Sequence, residues 1–474
     1  MAKRNSKMAV RFAGIYSLMV VVPVLLSIVL LTNENSAGST SLTAKAASDP
    51  SFAHLLLAIA IVVTACKMAG WLLKRLGQPP VIGEITAGIL LGPSVLGAVW
   101  PHGANTMFSP AIMPQLNVLA QVGVVLFVFL TGLELNTKLL RSRGHLAVVV
   151  SHVSIAVPFV LGIGFAAVAY VEFAPRGVDF LAFALFIGVS MSVTALPVLV
   201  RILKDTGMFG SEVGVVALTC AVVDDVTAWC LLALVVALVT ASSLIGVLLV
   251  VALAAAFTAI LFLVLRPLLA RLIGRTSTST LRHLAPLAVV GVLLCAMATE
   301  QIGVHAMFGA FMFGLIFPRG NVVETWLHEN TGGLTSVLML PLFFAYSGLR
   351  TDIGLLVGDA TLWLWCGAIL LVAVVGKLGS AAVAARSVGE SWNRSLQIGT
   401  LMNCRGLTEL IVLNVGLDLG VLSPTMFTML VIMALLSTAM TAPVVGWLVN
   451  RNGRWVREEA RAVASTLDEG RAKA

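Results

Sequence analysis

Asp224 and Asp225 stand side by side in VVDDVTAW (Val222 to Trp229), inside one of the most apolar stretches of a very apolar chain. A carboxylate in such a place can hold a proton or a cation through the same lone pairs, never both. If the stretch crosses a bilayer, an unpaired charge at its centre costs about 2.5–3.5 kcal/mol on insertion scales. Ionisable groups at that depth mark ion paths more often than passive packing. Neighbours on a helix point about 100° apart, so one aspartate can face a partner helix and the other a water-filled cavity. Lys377 lies in VVGKLGSA between Gly376 and Gly379, far from either end of its apolar run. It needs a carboxylate, and the aspartate pair is the obvious supplier.

Two further apolar runs are interrupted by polar residues. In GVSMSVTALPVLV (Gly188 to Val200) the interruptions are Ser190, Ser192, Thr194 and Pro197. In GTLMNCRGLTEL (Gly399 to Leu410) they are Asn403, Arg405, Gly406, Thr408 and Glu409. Unwound backbone at membrane depth is tolerated where it lines a cavity or is packed in protein. Paired discontinuous helices in inverted positions mark the substrate site of many secondary transporters. Opposed half-helix ends carry partial charges, which Asn403 or Arg405 on one side and a carboxylate on the other can balance.

The elements that must position these residues follow from composition. The chain has 474 residues, 59% of them hydrophobic and 11% charged, and its mean hydropathy is +1.02. Apolar runs of about 20 residues recur along it, each long enough for a bilayer core of roughly 30 Å. The expected fold is all-α: a polytopic membrane helix bundle, because only helices and closed barrels satisfy their backbone in lipid and no short alternating segments are present. We read about thirteen core spans, centred near residues 62, 88, 124, 156, 190, 222, 254, 290, 310, 342, 372, 406 and 435. The broken runs are the fifth and twelfth and run in opposite directions, as inverted repeats require. The six cysteines all fall in apolar runs without metal-type spacing and read as small buried side chains.

The net charge of +8 is scattered over short loops, which excludes a nucleic-acid partner and points to topology. With the first core span entering from outside, the inner loops hold Lys74, Arg75, Lys138, Arg141, Arg143, Arg201, Lys204, Arg266, Arg271, Arg275, Arg282, Arg319, Arg386 and Arg394. The outer loops hold Arg176 and Arg350. Before the core, residues 1–50 form a signal peptide or an extra transmembrane helix with a polar linker; Lys3, Arg4, Lys7 and Arg11 keep its start inside. Residues 51–450 form the membrane domain and 451–474 a short charged cytoplasmic tail. No glycine-rich nucleotide fingerprint occurs in that tail, so no regulatory nucleotide-binding domain is expected in this chain.

Taken in order, QPPVIGEITAGILLGPSVLG, FLTGLELN, SVTALPVL, VVDDVTAW, HAMFGAFMFGLIFPR, LPLFFAYSGLRTDI and MNCRGLTELIVLNVGLDLGVLS resemble the second family of monovalent cation:proton antiporters. The nearest likeness is to sodium- or potassium-proton exchangers related to plant cation/proton exchangers, over residues 52 to 450. The resemblance implies a homodimer, a dimerisation subdomain interleaved with a core subdomain, two crossed broken helices beside the aspartate pair, and an elevator-type movement of the core. It implies that Asp225 binds cation and proton in turn, that Asp224 pairs with Lys377, and that Thr194 sits at the crossing, facing the Asn403 region. In that family an Asp-Asp pair with the lysine often accompanies electrogenic exchange.

Glu134 in FLTGLELN and Glu84 in GEITAGILLGP also match family positions, with helix-end anchoring as the other reading of each. His305 can titrate near neutral pH or be hydrogen-bonded at an interface.

The function expected is therefore secondary active exchange of Na+ or K+ for protons by alternating access, in an inner cell membrane, with no cofactor and no enzymatic bond chemistry. A sodium-coupled organic-anion symporter of similar fold and a channel-like cation path are the other readings. Cysteines placed at residues 141–143 and in the tail should label from the inside, and those at 103–108 from the outside. Labelling of the tail from outside sealed cells would reverse this orientation.

Overall fold

The computed structural model describes residues 52–134, 144–240, 244–275 and 278–451, and these contain helices and loops without a β-strand. The expected segment 1–50, the loop residues 141–143 and the tail after Arg451 lie outside the described residues. The principal helices are α1 (Phe52–Arg75), α2 (Pro80–Leu91), α3 (Met113–Glu134), α4 (Gly144–Phe173), α5 (Phe180–Ser192), α6 (Leu196–Asp205), α7 (Glu212–Thr240) and α8 (Leu244–Ile260). They continue with α9 (Thr278–Ile302), α10 (Ala306–Ile316), α11 (Val322–Leu334), α12 (Leu340–Leu349), α13 (Ala360–Val374), α14 (Ser380–Ser387), α15 (Trp392–Met402), α16 (Leu407–Asp418) and α17 (Pro424–Arg451).

Among the described residues ten helical segments are long and apolar enough to cross a membrane, with Pro286–Ile302 and Ala306–Ile316 as shorter apolar helices. The run Trp392–Asp418 is not among the ten, and its break separates helices of 11 and 12 residues. This is a multi-pass membrane protein. Its outward faces carry large apolar side chains such as Ile245, Leu248, Leu249 and Leu263, which lipid solvates as well as a protein core would.

The chain divides into two units. One gathers the described residues of Met1–Leu76, Pro80–Glu134 and Ser243–Val357; the other gathers those of Gly77–Pro79, Leu135–Ser242 and Gly358–Ala474. In the first, α2 packs on α1 and α12, and α10 packs on α3 and α9. In the second, α4 packs on α5, α7 and α14, while α15 packs on α7, α14 and α17. That second unit carries both aspartates, Lys377 and both interrupted runs.

Small residues let its helices approach closely, as expected where lipid supplies no hydrophobic drive between helices. At the α4–α5 crossing, a methyl on Gly162 would stand 2.8 Å from Gly188 Cα. A methyl on Gly399 of α15 would stand 2.5 Å from the Leu378 carbonyl and 3.0 Å from Ala382 Cβ. This contact seats α15 against the turn that bears Lys377. That turn, Val375–Gly379, is π-helical, with one residue more than an α turn. The cysteines follow the expected burial except Cys230, which is exposed; it lies one turn from exposed Leu234 on the outer face of α7.

Gly399→Ala should therefore lower the melting temperature, with an overpacking cost of about 1–3 kcal/mol. Gly446→Ala, where the added methyl meets open space, should be neutral or gain up to about 1 kcal/mol from helix propensity. Equal melting temperatures for the two variants in detergent would contradict the packing account.

Candidate ion-binding site

Both interruptions have local causes. α5 ends at Ser192 and α6 starts at Leu196, with Val193 (φ −78°, ψ 143°) and Ala195 (φ −96°, ψ 101°) extended. Pro197 sits in the first turn of α6, where its missing amide costs nothing but cannot serve the Val193 carbonyl. α15 ends at Met402 and α16 starts at Leu407. The two breaks meet: the Ala195 amide donates to the Cys404 carbonyl at 3.1 Å. A Cβ on Gly406 would lie 2.6 Å from Val198 Cγ2 and 3.3 Å from Ala195 Cβ, so this approach requires glycine.

The last carbonyls of α5 would otherwise be orphaned. Arg405 Nη1 donates to the Ser190 carbonyl at 2.7 Å and Nη2 to that of Met191 at 2.8 Å. Lys377 Nζ donates to the Ser192 carbonyl at 2.5 Å. Two cations thus face the negative end of one half-helix. Arg405, rather than Asn403, supplies this balance; the Asn403 side-chain amide donates to the Ser437 carbonyl at 3.5 Å. At the facing end, Glu409 occupies the first turn of α16, where a carboxylate suits the positive helix terminus. Its Oε1 is 3.3 Å from Arg405 Nη1, and both side chains are fully buried.

The two aspartates have different surroundings, as their angular separation on α7 allows. Lys377 Nζ is 2.8 Å from Asp224 Oδ2, and neither side chain is exposed. The Thr194 hydroxyl lies 2.8 Å from the same oxygen and 2.9 Å from the Met402 carbonyl, two acceptors for one proton. Ser151 of α4 donates to Asp224 Oδ1. Both Asp224 oxygens are therefore engaged. Asp225, buried as well, accepts one longer hydrogen bond among the described residues, from the Thr408 hydroxyl to Oδ1 at 3.2 Å.

Ser192, Thr194, Asp224, Asp225, Lys377, Asn403, Arg405 and Glu409 thus all lie in the second unit, around the two breaks. Glu134, Glu84 and His305 belong to the first. Glu134 is largely exposed at the end of α3, 3.6 Å from His328 Nδ1. Glu84 is buried in α2, and His305 flanks the start of α10. Two contributors escaped the sequence reading. Ser151 had a faint signal in the spacing of Ser151 and Ser154 within an apolar run, and Thr408 was legible only as an interruption of its helix.

A family profile described as "Sodium/hydrogen exchanger, transmembrane" matches residues 52–451. The chain belongs to the sodium/hydrogen exchanger family. This exchanger-family chain is 42% identical over 394 residues to the Na(+)/H(+) antiporter NhaS4 of Synechocystis, covering 82% of the chain and 96% of that relative. It is 39% identical over 399 residues to Cation/H(+) antiporter 17 of Arabidopsis thaliana, covering 82% of the chain and 48% of that protein. With K(+)/H(+) antiporter 1 of Saccharomyces cerevisiae the figures are 33% over 393 residues, 81% and 45%. The chain spans about half the length of these plant and yeast relatives. Its fold is like that of the sodium proton antiporter MjNhaP1 from Methanocaldococcus jannaschii at pH 8, with a TM-score of 0.63, 15% identity, and coverage of 83% of this chain and 98% of that one.

Within this exchanger-family site, Lys377 and Asp224 form a buried pair, and removing one partner strands the other at a cost of about 3–5 kcal/mol. Lys377→Ala should lower the melting temperature strongly, and adding Asp224→Asn should recover part of the loss. Strictly additive losses in the double variant would show that the two side chains are not energetically coupled.

Proposed function

We propose that this chain exchanges a monovalent cation, Na+ or K+, for protons across a cell membrane by alternating access. The single observation that carries this reading is the unequal treatment of the two aspartates. Asp224 has a lysine and two hydroxyls within hydrogen-bonding distance. Asp225 has one threonine hydroxyl, so its lone pairs are the ones left for an exchangeable ligand. Proton and cation compete there because either one occupies the same electrons.

A monovalent cation is the cargo, held by hard oxygen donors. Asp225 supplies the charge and the Thr408 hydroxyl a neutral oxygen. The hydroxyl turns to donate to the bare carboxylate and to present its lone pairs when a cation or proton sits there. Lys377 and Asp224 hold each other and the end of α5, so the site keeps its frame through the cycle. The relatives, named as antiporters of sodium, potassium or another cation against protons, support this chemistry for the present chain. The family resemblance extends it to an elevator-type movement of the core in a homodimer. The loop charges support an inner-membrane orientation with the C-terminus in the cytoplasm.

Asp225→Asn preserves size and removes the charge. In vesicles loaded with a pH dye, cation addition should move protons through the unaltered protein and not through this variant, which should still insert and fold. Cation-dependent proton flux retained in Asp225→Asn would overturn the reading.

A further inference from the structure

Thr438 is buried in α17, within LLSTAMTAP. A hydroxyl inside a helix commonly returns to the carbonyl one turn back on its own helix. Thr219, Thr227 and Thr441 do so, to the carbonyls of Val215, Val223 and Ser437. Thr438 does not. Its hydroxyl accepts from the Arg405 amide at 2.8 Å and donates to the Arg405 carbonyl at 2.8 Å. One side chain thus holds both backbone groups of a residue in the second break. A hydroxyl has one proton to give and lone pairs to receive, so the two bonds are complementary and fix its rotation.

Arg405 lies between α15 and α16, and neither its amide nor its carbonyl makes a backbone hydrogen bond among the described residues. Backbone groups at membrane depth need partners, and α17, packed on α13, α15 and α16, supplies them here. The preceding residue is held elsewhere, since the Cys404 carbonyl accepts from the Ala195 amide. Consecutive residues of the second break are therefore moored to two different elements, the first break and α17. Much hangs on the Arg405 backbone. Its guanidinium bonds the Ser190 and Met191 carbonyls. α16 begins two residues later, and Thr408 in its first turn donates to Asp225 at 3.2 Å.

We infer that Thr438 is a positioning residue of the ion site: its hydroxyl fixes the Arg405 backbone, and through it the start of α16 and the Thr408 hydroxyl that meets Asp225. The inference rests on the reading that Asp225 carries cation and proton in turn. Thr438 itself touches neither aspartate among its hydrogen bonds. It sets where the Thr408 oxygen stands when an ion arrives. Without the Thr438 hydroxyl, the Arg405 amide and carbonyl turn toward other partners, and the first turn of α16 turns with them. The effect falls on cation affinity, because a neutral oxygen donor leaves its place while the charge of Asp225 stays.

The full chain in vesicles, with a pH dye inside and sodium or potassium added outside, gives a half-saturating cation concentration and a maximal rate. Thr438→Val keeps the shape and removes the hydroxyl. Its half-saturating concentration should rise roughly tenfold, the effect of one displaced hydrogen bond. Its maximal rate per folded protein should stay within about twofold, as when ground-state and transition-state binding weaken together. Thr438→Ser keeps the hydroxyl and should return half-saturation to within about twofold of the unaltered value. Thr441→Val removes a hydroxyl that serves its own helix and should leave half-saturation unchanged. A folded Thr438→Val protein with unaltered half-saturation overturns the inference and leaves Asp225 as the carrier. An equal rise in Thr441→Val, or a serine variant that behaves like the valine one, does the same. Where Thr438→Val does not fold, Thr438→Cys decides: its thiol bonds more weakly, so half-saturation should rise roughly threefold, and no rise overturns the inference. No cation-dependent proton movement through the unaltered protein overturns the reading beneath, and the inference with it.

Discussion

A half-helix that ends inside a membrane exposes carbonyls to a medium with no water to bond them, and each unsatisfied group costs several kcal/mol. The end of α5 meets this constraint with two cations, Arg405 on the Ser190 and Met191 carbonyls and Lys377 on that of Ser192. The rest of the site follows from that choice. Buried cations need anions, and Asp224 and Glu409 answer them from α7 and α16. The carboxylates then serve the backbone break as much as the ion. The interruption, the lysine and the first aspartate form one electrostatic unit that no member can leave without exposing another.

The unit is assembled from distant parts of the chain. Ser151, Ser192, Asp224, Lys377 and Arg405 come from five helices or their flanks, and each is held by backbone geometry local to it. Pro197 stops one helix, and glycine at 406 lets the second break reach the first. Gly399 lets α15 press against the turn beneath Lys377. Precision at the site therefore depends on side chains that are missing as well as on those present. The hydroxyl groups add a finer control. Thr194 has two acceptors for one proton, so its orientation reports whether the Asp224 carboxylate or the Met402 carbonyl is the stronger base at that moment.

Much of this is legible in the sequence. Asp224, Asp225 and Lys377 stand out because ionisable residues are rare in apolar spans, and the breaks because proline and a polar run disrupt otherwise uniform helices. The expected span centres fall within helices, apart from residue 406, which falls in the second break. The residues alone could not say which aspartate meets Lys377. That depends on the rotation of α7 about its axis, which no single-helix pattern fixes when every face is apolar; it took the family resemblance to name Asp224. The same uniformity hid Ser151 and the Thr408 bond, since a hydroxyl in an apolar run usually bonds its own helix. Arg405 and Asn403 stayed alternatives because only the packing of α5 against α16 shows which one reaches the exposed carbonyls. The placement of Glu84 and Glu134 in the other unit is likewise a matter of topology, not of local sequence.

The π-helical turn at Val375–Gly379 has a consequence for how such sequences can diverge. One extra residue in a turn is a phase shift between the helices on either side. α13 buries Cys366, Ile369 and Ala373, and α14 buries Ala381, Ala382, Ala384 and Ala385. Closing the turn by deleting one residue would rotate one set against the other by about 100°. The alanine face would swing off α4 and α15, and the ammonium would lose its bearing. Substitutions in this stretch change chemistry, whereas a single-residue gap changes the clock angle of half a span. The length of the segment between Ala373 and Ala381 is thus as much a part of the site as the lysine it carries.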